Sequence, residues 1–490
     1  MLSKHLTRRE VLHLSALCGA GVALTACSPG FPDFINRQTD TLRSLVLLYT
    51  NDEHGWMEPV AESGGAAGML RRWQREAGFT SDGPFLALSG GDLWTGPALS
   101  TWFKGESMID VMNAMGYSAA ALGNHDFDAG VDVLQQRAAQ ASFPLLSANI
   151  REKATGRTPD FAQAYVLNEV NGIQVGLVGL TTLETPVDTQ PSYVANFDFL
   201  PYEDALREAV PQVKSLGAQL LVVLGHLCSG EMRSLVPAAS ELGIPILCAG
   251  HCHEETVEQE GSVTIVQSGS FLQKFVRIAV LFDTANYRLV DIDARLIDNP
   301  NRRGDADIAG RVQAWHEDAD PALWQVIGYS GKKIGAGTPE MSKLITTPWL
   351  EAYPSASIAL FSPRYVQSLP AGEVTPASIL STIPTDNELV DMQLTGSQVL
   401  ETLDARHPSF GGLVEGEGGY TLPDGTLLDA NTSYHVLIPN SLYEGSNYYD
   451  VRKYDLNATY TGLDWRTPVV EWVTRLNTSR HDPLENHLGG

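Results

Sequence analysis

The sequence predicts an α/β region followed by a smaller α+β region. Three observations carry that expectation. Between about residues 43 and 283, short apolar runs rich in β-formers recur, and each ends in a polar cluster. Helix-compatible stretches at 106–115, 131–140 and 203–215 lie between them. Beyond about residue 335 the chain carries more Gly, Pro, Ser and Tyr, with short strands such as 357–360 and 434–438. With 490 residues, 43% hydrophobic and 19% charged, the chain can bury a sizeable core. A net charge of −25 excludes nucleic-acid polymers as partners, because nothing could neutralise a run of phosphates. It leaves room for a small anionic substrate, since bound metal ions can invert the local field.

The N-terminus reads as an address. Lys4, Arg8 and Arg9 precede an apolar stretch from Val11 to about Ala26, too short to span a bilayer, which is the pattern of a secretory signal. Thr7-Arg8-Arg9-Glu10-Val11-Leu12 resembles the twin-arginine export motif. Leu24-Thr25-Ala26-Cys27 looks like a lipobox, in which Cys27 becomes the lipid-bearing first residue. An ordinary Sec signal with a chance Arg pair is the alternative. The expected layout is a signal over 1–27, a tether over 28–42 containing Pro29, Gly30 and Pro32, and a first domain over 43–300. A linker helix over 301–335, built on Ala306 to Trp324, leads to a second domain over 336–490. The expected location is the periplasm or cell envelope, with membrane contact only through Cys27, and the expected state is a monomer.

In α/β folds function gathers at the carboxyl ends of strands. Five predicted strand ends here carry metal-capable residues: Asn51-Asp52-Glu53-His54, Gly90-Gly91-Asp92, Gly123-Asn124-His125-Asp126, Gly225-His226 and Gly250-His251-Cys252-His253. Hydrolysis of a phosphate ester needs a nucleophile at neutral pH, neutralised phosphoryl oxygens and a stabilised leaving oxygen. Two divalent ions about 3.5–4 Å apart supply all three. The strand ends offer Asp52, His54, Asp92, Asn124, His226, His251 and His253 as ligands, a mixed N/O set suited to Mn, Zn, Fe or Co. Residues two apart, such as Asp52 and His54 or His251 and His253, leave an extended strand end on the same side. Cys252 then falls on the alternate face as a small buried residue, and Cys228 and Cys248 read as core, with a disulfide between two of the three as the alternative. Trp94, Trp102 and Phe103 read as core, or alternatively as an aromatic wall facing substrate.

These five motifs, in order over about 200 residues, resemble those of the calcineurin-like metallophosphoesterases, most closely the 5'-nucleotidase branch. The resemblance implies a four-layer α/β/β/α sandwich followed by an α+β 5'-nucleotidase-like domain. It implies that Asp52, His54 and His253 hold one metal, that Asn124, His226 and His251 hold the other, and that Asp92 bridges them. A hydroxide between the metals would attack phosphorus in line. His125 would stabilise the phosphoryl charge, oriented by Asp128. Asp126 stands where the family often has Glu, and His253 where many nucleotidases have Gln.

The second region also resembles that branch, in Leu369-Pro370-Ala371-Gly372-Glu373-Val374-Thr375 and in the run from Ile383-Pro384 to Gln398. Its substrate loops depart. The family's Asn-x-Gly-Gly-x-Arg loop is replaced by Phe361 to Gln367, where Arg364 stands out of register as a phosphate-contacting candidate. Phe410, Tyr443 and Tyr448 are the candidates for rings that stack on a base, with packing between domains as the alternative. The expected activity is hydrolysis of nucleotides or other organic phosphomonoesters. A sulfur-ester hydrolase using the same two metals and a non-catalytic surface lipoprotein are the rival readings.

Overall fold

A computed structural model describes residues 41–489. The export signal, the lipidation candidate Cys27 and the tether up to residue 40 lie outside the described residues.

Two six-stranded sheets form the first region. One contains β1 (Leu42–Thr50), β2 (Phe85–Ser89), β3 (Tyr117–Ala121) and β4 (Leu145–Leu146). The other contains β5 (Tyr165–Val170), β6 (Ile173–Thr181), β7 (Leu220–His226), β8 (Ile246–Cys248), β9 (Glu255–Glu260) and β10 (Val263–Ser268). The long strands β11 (Lys274–Asp283) and β12 (Arg288–Asp298) return to the first sheet. The orders are β12-β11-β1-β2-β3-β4 and β9-β10-β8-β7-β6-β5.

Period-2 alternation sorts their side chains into layers. Leu45, Leu47 and Tyr49 of β1 meet Val175, Leu177, Leu220, Val222 and Leu224 of the facing sheet. Val46 and Leu48 point the other way, into a layer with Met69, Trp73, Ile109 and Met112. Those four belong to or follow α1 (Gly65–Arg72) and α2 (Glu106–Met115). On the far side Leu221 and Val223 pack on Leu206, Ala209 and Val213 of α4 (Tyr202–Ser215), which follows α3 (Val131–Gln140). This is the four-layer α/β/β/α arrangement. Central strands buried on both faces explain why the sequence shows continuous apolar runs there.

The linker differs from expectation. α5 (Ala306–Asp318) is capped at Asp305, whose side chain accepts from the Asp307 and Ile308 amides. It ends at Asp318, and a short 3₁₀ turn, Pro321–Trp324, follows Asp320. Proline without an amide hydrogen starts a helical turn readily but cannot continue one. The helix lies on the first region, where Arg311 and Trp315 both bind Asp110.

The later region holds a five-stranded sheet. Its strands are β13 (Ile358–Phe361), β14 (Glu388–Thr395), β15 (Ser409–Gly411), β16 (Ser433–Pro439) and β17 (Thr459–Asp464), in the order β15-β13-β16-β14-β17. Trp349, Phe361, Trp465 and Tyr443 share its core. Residues 41–489 form one compact unit. Ala98 donates to Ser381 Oγ and Ser192 to Glu444 across the two regions. Among the described residues no helix is long and apolar enough to cross a membrane.

Candidate metal centre

Strands β1, β2, β3, β7 and β8 end on one edge of the sandwich, and the seven sequence-nominated ligands come together there. Asp52, His54 and His253 form one group whose ligand atoms lie within 4.8 Å of one another, and Asp92, His226 and His251 form a second. Asp92 faces both: its Oδ2 is 3.6 Å from His54 Nε2 and 3.0 Å from His226 Nε2. Asn124 joins the second group, with Oδ1 3.2 Å from His226 Nε2.

The backbone here is not extended. Asp52, His54, Asp92, His251 and His253 all have φ between 46° and 70°. Non-glycine residues rarely adopt this left-handed conformation. The same-side argument from strand alternation therefore does not hold at these ends: His251 enters the second group and His253 the first. The turns are held by hydrogen bonds that continue the β1–β2 pairing, from Asp52 N to Gly91 O and from His54 N to Asp92 O. Asp126 accepts from the amides of Leu93 (2.7 Å), Gly123 (2.8 Å) and Asp92 (3.2 Å), pinning the loop that carries Asp92. Gly123 is obligatory for contact reasons, because a Cβ there would collide with the Asp92 carboxylate.

Proton placement tests whether these residues suit a cation. His54 Nδ1 lies 2.9 Å from Thr95 O, and His226 Nδ1 lies 2.8 Å from Gly90 O. A carbonyl can only accept, so each Nδ1 carries a hydrogen and each Nε2 faces inward, offering a lone pair whenever the ring is neutral. His54 Nε2 then meets His253 Nε2 at 3.3 Å. Burial pushes His54 down to about 4, and burial with the neighbouring His226 does the same to His251. His226 is opposite in sign: burial lowers it, but the Asp92 charge and hydrogen bond outweigh burial and hold it up to about 9. Positive charge is favoured between Asp92 and His226, and a divalent cation can supply it in place of a proton. Converging lone pairs and buried carboxylates of mixed N/O type therefore fit two divalent ions.

Beneath the ligands, burial pushes the Glu53 carboxyl up to about 8 against hydrogen bonds from Thr50 and Ser89, so it adds no charge at neutral pH. Beside them, His125 Nδ1 is 2.7 Å from Asp128 Oδ2, and Thr189 Oγ1 donates to the other Asp128 oxygen at 3.1 Å. Burial opposes the His125 charge, but Asp128 and Asp92 outweigh it and hold the imidazole up to about 10. Two residues here gave no signal in the sequence. Asp188 Oδ2 lies 3.6 Å from His251 Nε2, and Thr189 holds Asp128. Both follow β6, in a segment without a metal-ligand spacing.

The cysteines are a correction. Cys228 and Cys252 form the disulfide that was the alternative reading, and among the described residues Cys248 is free and buried, as expected. Cys252 is exposed rather than buried, because the left-handed residues on either side of it break the strand alternation. The bond joins the segment after His226 to the segment carrying His251 and His253.

The ring and arginine candidates separate. Tyr443 is 3% exposed, its hydroxyl donates to Asp455 O and its ring packs on Tyr460, so it is a core residue and offers no face to a substrate. Phe410 is half-buried in β15 against Tyr420. Tyr448 is exposed, with Arg406 over its ring. Arg364 is exposed in the turn before Tyr365, and among the described residues no ion pair holds its guanidinium. Trp94 and Phe103 pack inside, while Trp102 is exposed. A cleft opens next to Asp128, lined by Thr189, Gln190, Tyr365, Thr385, Asn387 and Ser441 among others.

Comparison with known proteins finds relatives over most of the chain. The family described as 5'-nucleotidase, C-terminal domain, matches residues 336–413. A 5'-nucleotidase of Vibrio vulnificus is 26% identical over 424 residues, covering 74% of this chain and 76% of that protein. Protein UshA of Yersinia enterocolitica is 24% identical over 96% of this chain and 97% of its own length. Among solved structures, the 5'-nucleotidase precursor of Thermus thermophilus superimposes with a TM-score of 0.76 at 23% identity, covering 89% of this chain and 97% of that one.

Two predictions follow from the geometry. Asp92→Ala should release both metal equivalents, whereas His253→Ala should release one, as measured by elemental analysis of purified protein. Replacing Cys228 and Cys252 together by Ser should lower stability by about 3 kcal/mol, the typical effect of freeing a loop of this size. The same variant should lose metal faster to a chelator, and an unchanged loss rate would show that the disulfide does not hold the ligands in place.

Proposed function

We propose that the chain is a metallophosphoesterase of the 5'-nucleotidase branch, an exported di-metal enzyme hydrolysing nucleotides or related organic phosphomonoesters. One observation carries the reading: two groups of inward lone pairs share Asp92, and a charged His125 stands beside them.

Asp52, His54, His253 and Asp92 would hold one ion, and Asp92, Asn124, His226 and His251 the other. With both groups filled, divalent ions of the Mn, Zn, Fe or Co kind supply Lewis acidity to the phosphoryl oxygens and to an attacking water. The chain's own residues supply orientation and a proton. Thr189 fixes Asp128, and Asp128 fixes and charges His125. With Nδ1 committed to Asp128, the remaining N–H of the imidazolium is free to donate to a phosphoryl oxygen as charge develops. Asp126 keeps the Asp92 loop in register. Arg364, with no ion pair among the described residues, is the cation we assign to meet the incoming phosphate.

Export rests on the N-terminal segment. Thr7 to Leu12 supports the twin-arginine route and Cys27 a lipid anchor in the cell envelope.

With Mn, Zn or Co added, the purified protein should release phosphate from phosphomonoesters, and none released from a broad panel would refute the reading. His125→Ala should lower kcat about 10²–10³-fold with metal content intact, as for loss of one charge-stabilising donor. Asp128→Asn removes the foremost cause that raises the His125 pKa. The alkaline limb of the kcat–pH profile should therefore move to lower pH, and an unmoved limb would take His125 out of the rate-determining step. Cys27→Ala should shift the protein from the membrane to the soluble fraction of the envelope.

A further inference from the structure

The cleft beside Asp128 is built for hydroxyl groups. Counting the solvent space at its mouth, it spans about 240 Å³. Its walls carry the Thr189, Thr385 and Ser441 hydroxyls and the Gln190 and Asn387 amides. Ser441 is 4% exposed, yet its Oγ has no hydrogen-bond partner. Buried hydroxyls are normally paired, so this one leaves an open position in the wall. Asn387 uses one amide hydrogen on Thr385 Oγ1 and its oxygen on the Ser441 amide, which leaves its second N–H to spare. Thr385 Oγ1 accepts that bond and keeps its own hydrogen to donate.

No ring face competes with these groups. Tyr365 is the single aromatic residue lining the cleft; it is 8% exposed and its hydroxyl is bonded to Ser446. Tyr443 is sealed in the core, Phe410 packs on Tyr420, and Tyr448 points its exposed ring at Arg406. None of the three lines the cleft. A base gains binding energy mainly by stacking on such faces. A sugar or polyol instead presents hydroxyls that both donate and accept, which Ser441, Thr385 and Asn387 can meet.

Resting on the phosphomonoesterase reading of the metal centre, we propose that this cleft takes the sugar or polyol part of the leaving group and gives a nucleobase no stacking surface. Ser441, Thr385 and Asn387 determine specificity. The enzyme discriminates little among bases and accepts sugar phosphates that have no base.

The test compares kcat/KM for ribose 5-phosphate, AMP and UMP on the metal-loaded protein, with p-nitrophenyl phosphate as a leaving group that needs no recognition. The three natural esters should agree within about tenfold, because no stack of the kind that favours a base is present. AMP or UMP exceeding ribose 5-phosphate by more than that would overturn the proposal while leaving the phosphoesterase reading intact. No turnover of any ester, p-nitrophenyl phosphate included, would overturn the phosphoesterase reading and the cleft assignment with it. Ser441→Ala should lower the ratio of kcat/KM for ribose 5-phosphate to that for p-nitrophenyl phosphate about tenfold, the effect of one good hydrogen bond. An unchanged ratio would overturn the role of Ser441, and the ratio is insensitive to partial loss of folded protein.

Discussion

Imidazole nitrogens and buried carboxylates that converge around Asp92 are the constraint on which the catalytic face depends. His54 and His226 spend their Nδ1 hydrogens on backbone carbonyls, and both Nε2 atoms then look toward Asp92. Without compensating positive charge this arrangement is repulsive, and in a buried site the repulsion is weakly screened. Five of the ligand residues also sit on left-handed backbone, a conformation costing of order 1–3 kcal/mol per residue. Such a cluster persists only where the surroundings over-determine it.

The sandwich provides that rigidity. Leu47, Leu88, Leu177 and Val222 are fully or almost fully buried between the two sheets, and each stands within a few residues of a strand end or its neighbour. The loops leaving those strands are tied at once: Asp126 to three amides, Phe271 to Asp52 O, and Cys228 to Cys252. Binding energy from two cations would then act on a frame that is already in place, rather than being spent on ordering it.

The architecture was legible because burial on both faces writes long apolar runs. Residues 106–115 and 131–140 are helical over the range their pattern implies, and five apolar runs are strands that end at the nominated ligands. The clustering of the candidate ligands was legible because few other roles need Asp, Asn and His at five successive strand ends. The geometry inside the loops was not. Alternation holds only on extended backbone, so the left-handed turns at His251 and His253 sent Cys252 outward into a disulfide that its spacing did not reveal. Specificity was the least legible layer. Tyr443 and Ser441 are two residues apart in one short helical turn, where a shift of two positions exchanges core for cleft. The linker helix was over-extended because Pro321 is compatible with starting a turn as well as with ending a helix.

The segment from Val187 to Ser192 touches nearly everything of consequence. Val187 O accepts from Ser446, Asp188 O from Asn124, Thr189 donates to Asp128, and the Ser192 amide donates to Glu444. One short stretch of backbone is thus bonded on one flank to the residues around the metals and on the other to the later region. The Thr189–Asp128 bond that orients His125 is therefore anchored by the same stretch of backbone that the later region holds in place.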